Sequence, residues 1–472
     1  MKRDKLVYNN VVEAIGQSPM IKLGKYPQER GIKCQLYVKA DFLNPGGSSK
    51  DRIGQFMIEA AEKEGLIKPG DTLVENTSGN TGIGLALNAA VKGYKLIVTI
   101  PDKMSKEKIN TLKALGAEVI VTPTSVPQDH PDSYISVAKR LGSQPGHFHV
   151  NQYSNDANSD AHYKTTANEI WDQMDQKLDY VFIGVGTGGT VSGTAQRLKE
   201  LHPGVKIVGI DPHGSILAKP DTLNTLSKGY KIEGIGQEKP PKILRFDLID
   251  DWVKTDDKES FVACRDIIKE EALLVGGSCG SVISGAMRYL KDKGLESNAE
   301  VRGVIFLPDS IRNYMTKYLV DEWMVGNGYY PTPEASSQKG LLADKTILDF
   351  PEVFPKLAYF DKRLTISDCF DLFRKGLPCI PVRQSGEVIG VVTMAKLISA
   401  VSQQGLSKAA SCANCLSKEF LILEASAPLS YVQSCLEGNY NVVLVGSNPA
   451  DIYTAAMTDI AQLLDAETKE LI

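Results

Sequence analysis

Residues 180–201 read Tyr-Val-Phe-Ile-Gly-Val-Gly-Thr-Gly-Gly-Thr-Val-Ser-Gly-Thr-Ala-Gln-Arg-Leu-Lys-Glu-Leu. The stretch opens with an apolar run of strand length, passes through a glycine-rich turn and continues in a helical pattern. A buried strand that turns through glycines into a helix is the repeating unit of an α/β sheet. Such a turn aims backbone N–H groups and the positive end of a helix at one point, which suits a phosphate. The spacing Gly186-Thr187-Gly188-Gly189-Thr190 matches neither the P-loop nor the dinucleotide fingerprint, which argues against ATP and NAD.

The same grammar extends outward from about residue 34 to 310. Lys95–Ile100, Glu118–Thr122, Lys206–Ile210 and Gly303–Leu307 read as further buried strands, rich in Val and Ile and bounded by Gly or Pro. Between them lie helical patterns. One places Ile53, Phe56, Met57, Ala60 and Ala61 on a single face and stops at Gly65. The alternation predicts an open α/β architecture with mostly parallel strands.

At 472 residues the chain exceeds one hydrophobic core, so several domains are expected. Tyr329–Ala343 has prolines, small polar residues and a glycine, and reads as a linker. The expected boundaries are a functional unit at 1–328, a linker at 329–343 and a smaller unit at 344–472.

The last unit contains a weak internal repeat. The first copy places Ile366, Cys369, Phe370 and Phe373 on a helix, then Pro378–Val382 as a strand, a Ser385-Gly386 turn and a strand Val388–Thr393. The second has Val432, Cys435 and Leu436 on a helix, then Asn441–Val445, a turn at Gly446 and a strand Tyr453–Thr458.

Hydrophobic residues make up 42% and charged residues 23%, the balance of a soluble globular protein. A net charge of -4 without a basic block excludes nucleic acid as an expected partner. No run resembles a signal peptide or membrane span, so the expected location is the cytoplasm. The eight cysteines are scattered and do not read as a disulfide framework. Cys412 and Cys415 have metal or redox spacing, but no second pair or His is near in sequence. They read as reduced thiols, with a redox switch as the rival, and no metal site is expected.

Three more motifs carry chemistry. Asn44-Pro-Gly-Gly-Ser-Ser-Lys50-Asp-Arg52 delivers a lysine to a helix start. The helix dipole and partial burial both disfavour its ammonium form, and a neutral amine can form a Schiff base with an aldehyde. Thr77-Ser78-Gly79-Asn80-Thr81 lies between a strand-like Leu73-Val-Glu75 and a helix over 83–91. Such a turn aims N–H groups and short hydroxyls at a carboxylate, although a capped helix start would look alike. Gly276-Gly-Ser278-Cys-Gly280 puts a serine in a tight turn that would equally serve structure. An amine, a carboxylate cradle and a phosphate cradle on one scaffold are what pyridoxal 5'-phosphate with an amino-acid substrate requires.

With these residues in place, the chain from Val12 to about Tyr329 resembles the cystathionine β-synthase family. This family lies within the fold-type II pyridoxal-phosphate enzymes, which also include cysteine synthase. The motifs NPGGSSKDR, TSGNTGIGLAL, ALGAEVI, GVGTGGTVSG, EGIG, GGSCGS and LPDSIRNYMTKYLVDEW carry the resemblance, in that order. It implies two open α/β subdomains like those of tryptophan synthase β, followed by a CBS-domain pair.

It also implies roles. Lys50 would carry the cofactor as a Schiff base and act as the catalytic base. Asn80 would bond the ring hydroxyl, and Ser278 would meet the pyridine nitrogen. Gly186, Thr187, Gly188, Gly189 and Thr190 would hold the phosphate. Thr77, Ser78, Thr81 and Gln152 would bind the substrate carboxylate, with Tyr153 near the ring. The implied reaction joins L-serine to L-homocysteine, giving cystathionine and water, in a homodimer or larger assembly. Cysteine synthase and serine dehydratase activities are the neighbouring alternatives.

The sequence departs from the family in three places. No His precedes His130 and the first Cys is Cys34, so no haem is expected. Gln237 stands where the family usually has Tyr, which bears on thiol preference. In the CBS-domain copies the acid expected three residues after a Thr is Lys396 after Thr393 and Ala461 after Thr458, so S-adenosylmethionine binding is not expected.

Overall fold

The computed structural model describes residues 7–463 apart from 78, 103, 125, 128, 227–228, 335–341, 355, 385–386, 403–404, 418–419, 438–439, 441, 449–450, 456–458 and 462. Its internal contacts divide it into two compact units, Met1–Tyr318 and Leu319–Ile472.

In chain order the first unit contains β1 (Met20–Lys22), β2 (Gln35–Ala40), β3 (Thr72–Asn76), β4 (Lys95–Pro101), β5 (Glu118–Thr122), β6 (His147–His149), β7 (Tyr180–Gly184), β8 (Lys206–Pro212), β9 (Asp251–Thr255) and β10 (Arg302–Leu307). They form a six-stranded sheet ordered β1-β2-β10-β7-β8-β9 and a four-stranded sheet ordered β5-β4-β3-β6. Only the β1/β2 pair is antiparallel. The central strands are near-continuous apolar runs because helices cover both faces of a parallel sheet. Val181, Phe182, Ile183, Ile207, Val208, Val304 and Ile305 are fully buried. The expected two α/β subdomains are present, and the loops that leave the carboxyl ends of β3, β7 and β10 carry the site, as is usual for open α/β sheets.

The helices begin about one turn before the apolar periodicity does. They span Lys50–Lys63, Asn80–Lys92 and Gly189–Leu201, against expected starts near 53, 83 and 191. The first turn of each is polar or small, so the hydrophobic pattern cannot mark it. The chain also forms β6 and β9, which are too short or too polar to read as buried strands.

Helices Lys50–Lys63 and Asn80–Lys92 cross at Gly54 and Gly84. A Cβ on Gly84 would lie 2.3 Å from the Lys50 carbonyl oxygen, and one on Gly54 would lie 2.5 Å from the Gly84 carbonyl carbon. This close crossing places the start of the lysine helix beside the start of the asparagine helix.

The second unit has two sheets. Strands β11 (Lys356–Leu357), β12 (Phe360–Asp361), β13 (Ile380–Gln384), β14 (Glu387–Val392), β15 (Phe420–Leu423), β16 (Val442–Asn448) and β17 (Asp451–Ala455) are arranged as β11-β17-β16-β15 and β12-β13-β14. Helices Ile366–Arg374 and Leu429–Glu437 precede β13 and β16, as the repeat predicts. The expected turn at Gly446 is not formed. Strand β16 runs through it, and the pairing with β17 shifts between Val445 and Asn448. A strand glycine here accommodates an irregular register instead of reversing the chain. The Ser385-Gly386 turn and Thr458 lie outside the described residues. Helix Asp321–Gly326 belongs to this unit, with Val325 in its core beside Leu421 and Val432. No helix among the described residues is long and apolar enough to cross a membrane.

Candidate active site

The candidate site assembles from loops distant in sequence. The turn before Lys50 is pinned to the loop after β10: Ser49 N–H donates to the Pro308 carbonyl at 2.7 Å, and Ser310 N–H to the Gly47 carbonyl at 2.9 Å. Gly276 N–H donates to the Asp309 carbonyl at 2.9 Å, which ties the Ser278 turn to the same loop. Three backbone contacts therefore bring Lys50 and Ser278 around Asp309.

Lys50 opens its helix and is only partly accessible. Burial lowers its amine to about 8, although the Asp309 and Asp41 carboxyls pull the other way. Desolvation wins because it penalises the charged form alone. The amine is thus neutral in a useful fraction near neutrality, as its motif predicts.

Asn80 donates from Nδ2 to Asp309 Oδ2 at 2.9 Å and accepts at Oδ1 from Asn313 Nδ2 at 2.9 Å. Ser278 Oγ lies 3.5 Å from Asp309 Oδ1. Tyr314 donates its hydroxyl to Asp309 Oδ2 at 2.5 Å, and Lys108 Nζ lies 3.1 Å from that hydroxyl and 2.7 Å from Glu233 Oε2. Asn80 and Ser278 are thus brought together. Asp309, which the sequence reading did not single out, sits between them. Its signal was its place inside the LPDSIRNYM motif, directly after a strand end.

The phosphate-loop candidates close the carboxyl end of β7. Gly188 is in the left-handed region at φ +88°, which favours glycine, and Gly189 then starts a 13-residue helix. The N–H groups of that first turn converge where the helix dipole is positive. Thr187 Oγ1 accepts from Asn158 Nδ2 at 3.2 Å, and Thr190 Oγ1 lies 3.1 Å from His162 Nε2. His162 is another residue the sequence reading missed. It starts a π-turn, His162–Thr166, a feature common at functional sites. Burial, with Lys50 nearby, lowers its pKa to about 3, so it is neutral.

The residues expected to cradle a carboxylate lie at the end of β3. Thr77 Oγ1 accepts from Gly79 N–H at 3.0 Å, and Thr81 donates to Gln152 Oε1 at 2.7 Å. Asn158 Nδ2 donates to the Gln152 backbone carbonyl at 2.8 Å, so one asparagine links this segment to Thr187. Ser78 lies outside the described residues. Tyr153 is half-buried, 3.4 Å from the Tyr134 hydroxyl, with the Gln237 side chain also bonded to it. Among the described residues no cluster of His, Cys, Asp and Glu is placed to hold a metal.

These residues fit pyridoxal phosphate. A glycine-lined helix start suits the phosphate, a desolvated amine suits the aldehyde, and Asn80 and Ser278 suit the polar edges of the ring. Residues 11–308 match the family model described as pyridoxal-phosphate dependent enzyme. The chain belongs to this family of enzymes.

Within it the chain belongs to the cystathionine beta-synthases. The protein of that name from Dictyostelium discoideum is 46% identical over 407 residues, covering 85% of this chain and 80% of the relative. That from Oryctolagus cuniculus is 41% identical over 445 residues, covering 92% and 79%. Among solved structures, the O-acetylserine dependent cystathionine beta-synthase from Helicobacter pylori is similar at 35% identity and a TM-score of 0.60. It covers 66% of this chain and 99% of that one.

Proposed function

We propose that the protein condenses L-serine with L-homocysteine, forming L-cystathionine and water. One observation carries the site reading. Two electrostatic neighbours of Lys50 join the motifs: Asp309 bears on Lys50 and bonds Asn80, while His162 feels Lys50 and contacts Thr190. Lys50 thus lies within electrostatic reach of groups that bond Asn80 and Thr190, which supports one shared site.

Bound pyridoxal phosphate would supply an electron sink that acidifies the α-C–H of a linked amino acid. The protein's part is positional. Gly186–Thr190 hold the phosphate with backbone N–H groups and two hydroxyls. Thr77, Ser78, Thr81 and Gln152 would hold the substrate carboxylate and so orient the α-C–H toward Lys50. The neutral Lys50 amine takes that proton and later returns it. Overall the serine hydroxyl would depart as water, balanced by the proton that the homocysteine thiol gives up, and the thiolate would form the new C–S bond at the β-carbon. Ser278 would give the ring nitrogen a neutral partner, which would favour β-replacement over transamination because less charge would be drawn into the ring. Tyr153, which bonds the Gln237 side chain, would lie near the ring, and Gln237 would lie by the entry of the thiol.

We read the enzyme as working without haem. Cys34 is buried, and its thiol lies 3.1 Å from the Leu295 carbonyl. The 344–472 segment is read as a regulatory CBS-domain pair that does not bind S-adenosylmethionine, because Lys396 and Ala461 stand at the acid positions. A homodimeric, cytoplasmic enzyme is the working expectation.

Mass spectrometry of products decides the reaction. Serine with homocysteine should give cystathionine, and O-acetylserine with sulfide should be a poorer pair. Cysteine from O-acetylserine as the dominant product would make it a cysteine synthase. Pyruvate without thiol incorporation would make it a dehydratase.

A further inference from the structure

Asn80 can turn either end of its amide to the pocket, and only one end suits a ring hydroxyl in its anionic form. An amide has two N–H donors and one carbonyl acceptor. In this protein Asn80 Nδ2 donates to Asp309 Oδ2 at 2.9 Å, and Asn313 Nδ2 donates to Asn80 Oδ1 at 2.9 Å. Rotating the amide by half a turn would set its carbonyl against a carboxyl oxygen and its N–H group against the N–H group of Asn313. Both contacts would then be repulsive. In the native sense the second N–H of Asn80 has no partner among the described residues.

We infer that Asp309 is a positioning residue that forces Asn80 to present its amide N–H, and not its carbonyl oxygen, to the cofactor ring. The inference rests on the pyridoxal-phosphate reading above and adds a residue to it. Asp309 is fully buried. Its loop is held by the backbone contacts to Gly47, Ser49 and Gly276. Tyr314 occupies the same carboxyl oxygen at 2.5 Å, and Lys108 reaches that hydroxyl at 3.1 Å. The other carboxyl oxygen lies 3.5 Å from Ser278 Oγ, so both ring-facing side chains adjoin one anchor. A buried acceptor that fixes an amide's sense is worth more than one hydrogen bond, because the wrong sense leaves polar groups unpaired.

The test uses the full-length holoenzyme. Borohydride reduction and peptide mapping first show whether the cofactor sits on Lys50. Asp309→Ala should keep that adduct but shift the absorption band of the bound cofactor and weaken its binding roughly tenfold. Asp309→Asn retains a carbonyl acceptor for Asn80 and Tyr314 and should restore both. Adding Asn80→Ala to Asp309→Ala should produce little further change, because the two act through one contact. An unchanged band and affinity in Asp309→Ala, or full additivity with Asn80→Ala, overturns the inference while the Lys50 adduct still stands. Should Asp309→Ala not fold, Asp309→Asn is compared with Asn80→Ala. A wild-type band in the former supports the inference, and a band matching the latter contradicts it. Loss of the adduct in wild type would instead defeat the site reading itself.

Discussion

The Thr81 hydroxyl donates to Gln152 Oε1 across 2.7 Å, joining the start of helix Asn80–Lys92 to the turn that follows β6. The bond preorients the Gln152 carboxamide, whose Nε2 also reaches the Asn76 carbonyl at 3.3 Å. Gln152→Ala should raise the KM for serine about tenfold, with the spectrum of the bound cofactor unchanged. Steady-state kinetics and an absorption spectrum check both parts.

Lys50 sets the pH dependence. Burial lowers its amine from the ordinary lysine value to about 8, so the neutral base is already half-formed there. Protonation at lower pH removes the base. Turnover should therefore rise through pH 8 and level off above it, as measured by a kcat profile with saturating substrates.

Gly84→Ala tests the helix crossing. The added carbon would sit 2.3 Å from the Lys50 carbonyl oxygen, too close without moving the lysine helix. The substitution should cost about 1–3 kcal/mol of stability and lower activity sharply. Thermal unfolding and turnover of the purified variant check it.

Arg52 tests the buried ion cluster behind the site. Its guanidinium bonds Asp41 Oδ1 at 2.8 Å and Glu169 Oε1 at 2.6 Å, and Lys39 Nζ reaches Glu169 Oε2 at 2.6 Å. Arg52→Met leaves Asp41 and Glu169 without their main partner and should cost about 3–5 kcal/mol. Arg52 and Lys39 hold Glu169 at about 2, below its unfolded value. That contribution is therefore complete above the unfolded carboxyl range and fades as pH falls toward 2. The Tm gap between wild type and variant should shrink as pH is lowered below about 4.5.

The site was legible where a motif combines a strand end, a glycine turn and a helix start. Asn80 and Gly186–Thr190 lie in such places, and Lys50 and Ser278 share the glycine turn and the helix start without the strand end. Asp309 left only its place in the LPDSIRNYM motif after a strand end, and His162 left no mark. Each acts on the site through residues distant in sequence, Asn80 and Thr190 respectively, and only the fold supplies that proximity. In the second unit the repeat was legible in its helices, since Ile366, Cys369, Val432 and Cys435 keep one apolar face. The Gly446 turn was misplaced because a glycine marks a bulge as readily as a reversal.

Everything above depends on one amine. Reducing the purified holoenzyme with borohydride and mapping its peptides by mass spectrometry should find the pyridoxyl group on Lys50 alone. A pyridoxyl group on another lysine, or none on any, would contradict the account.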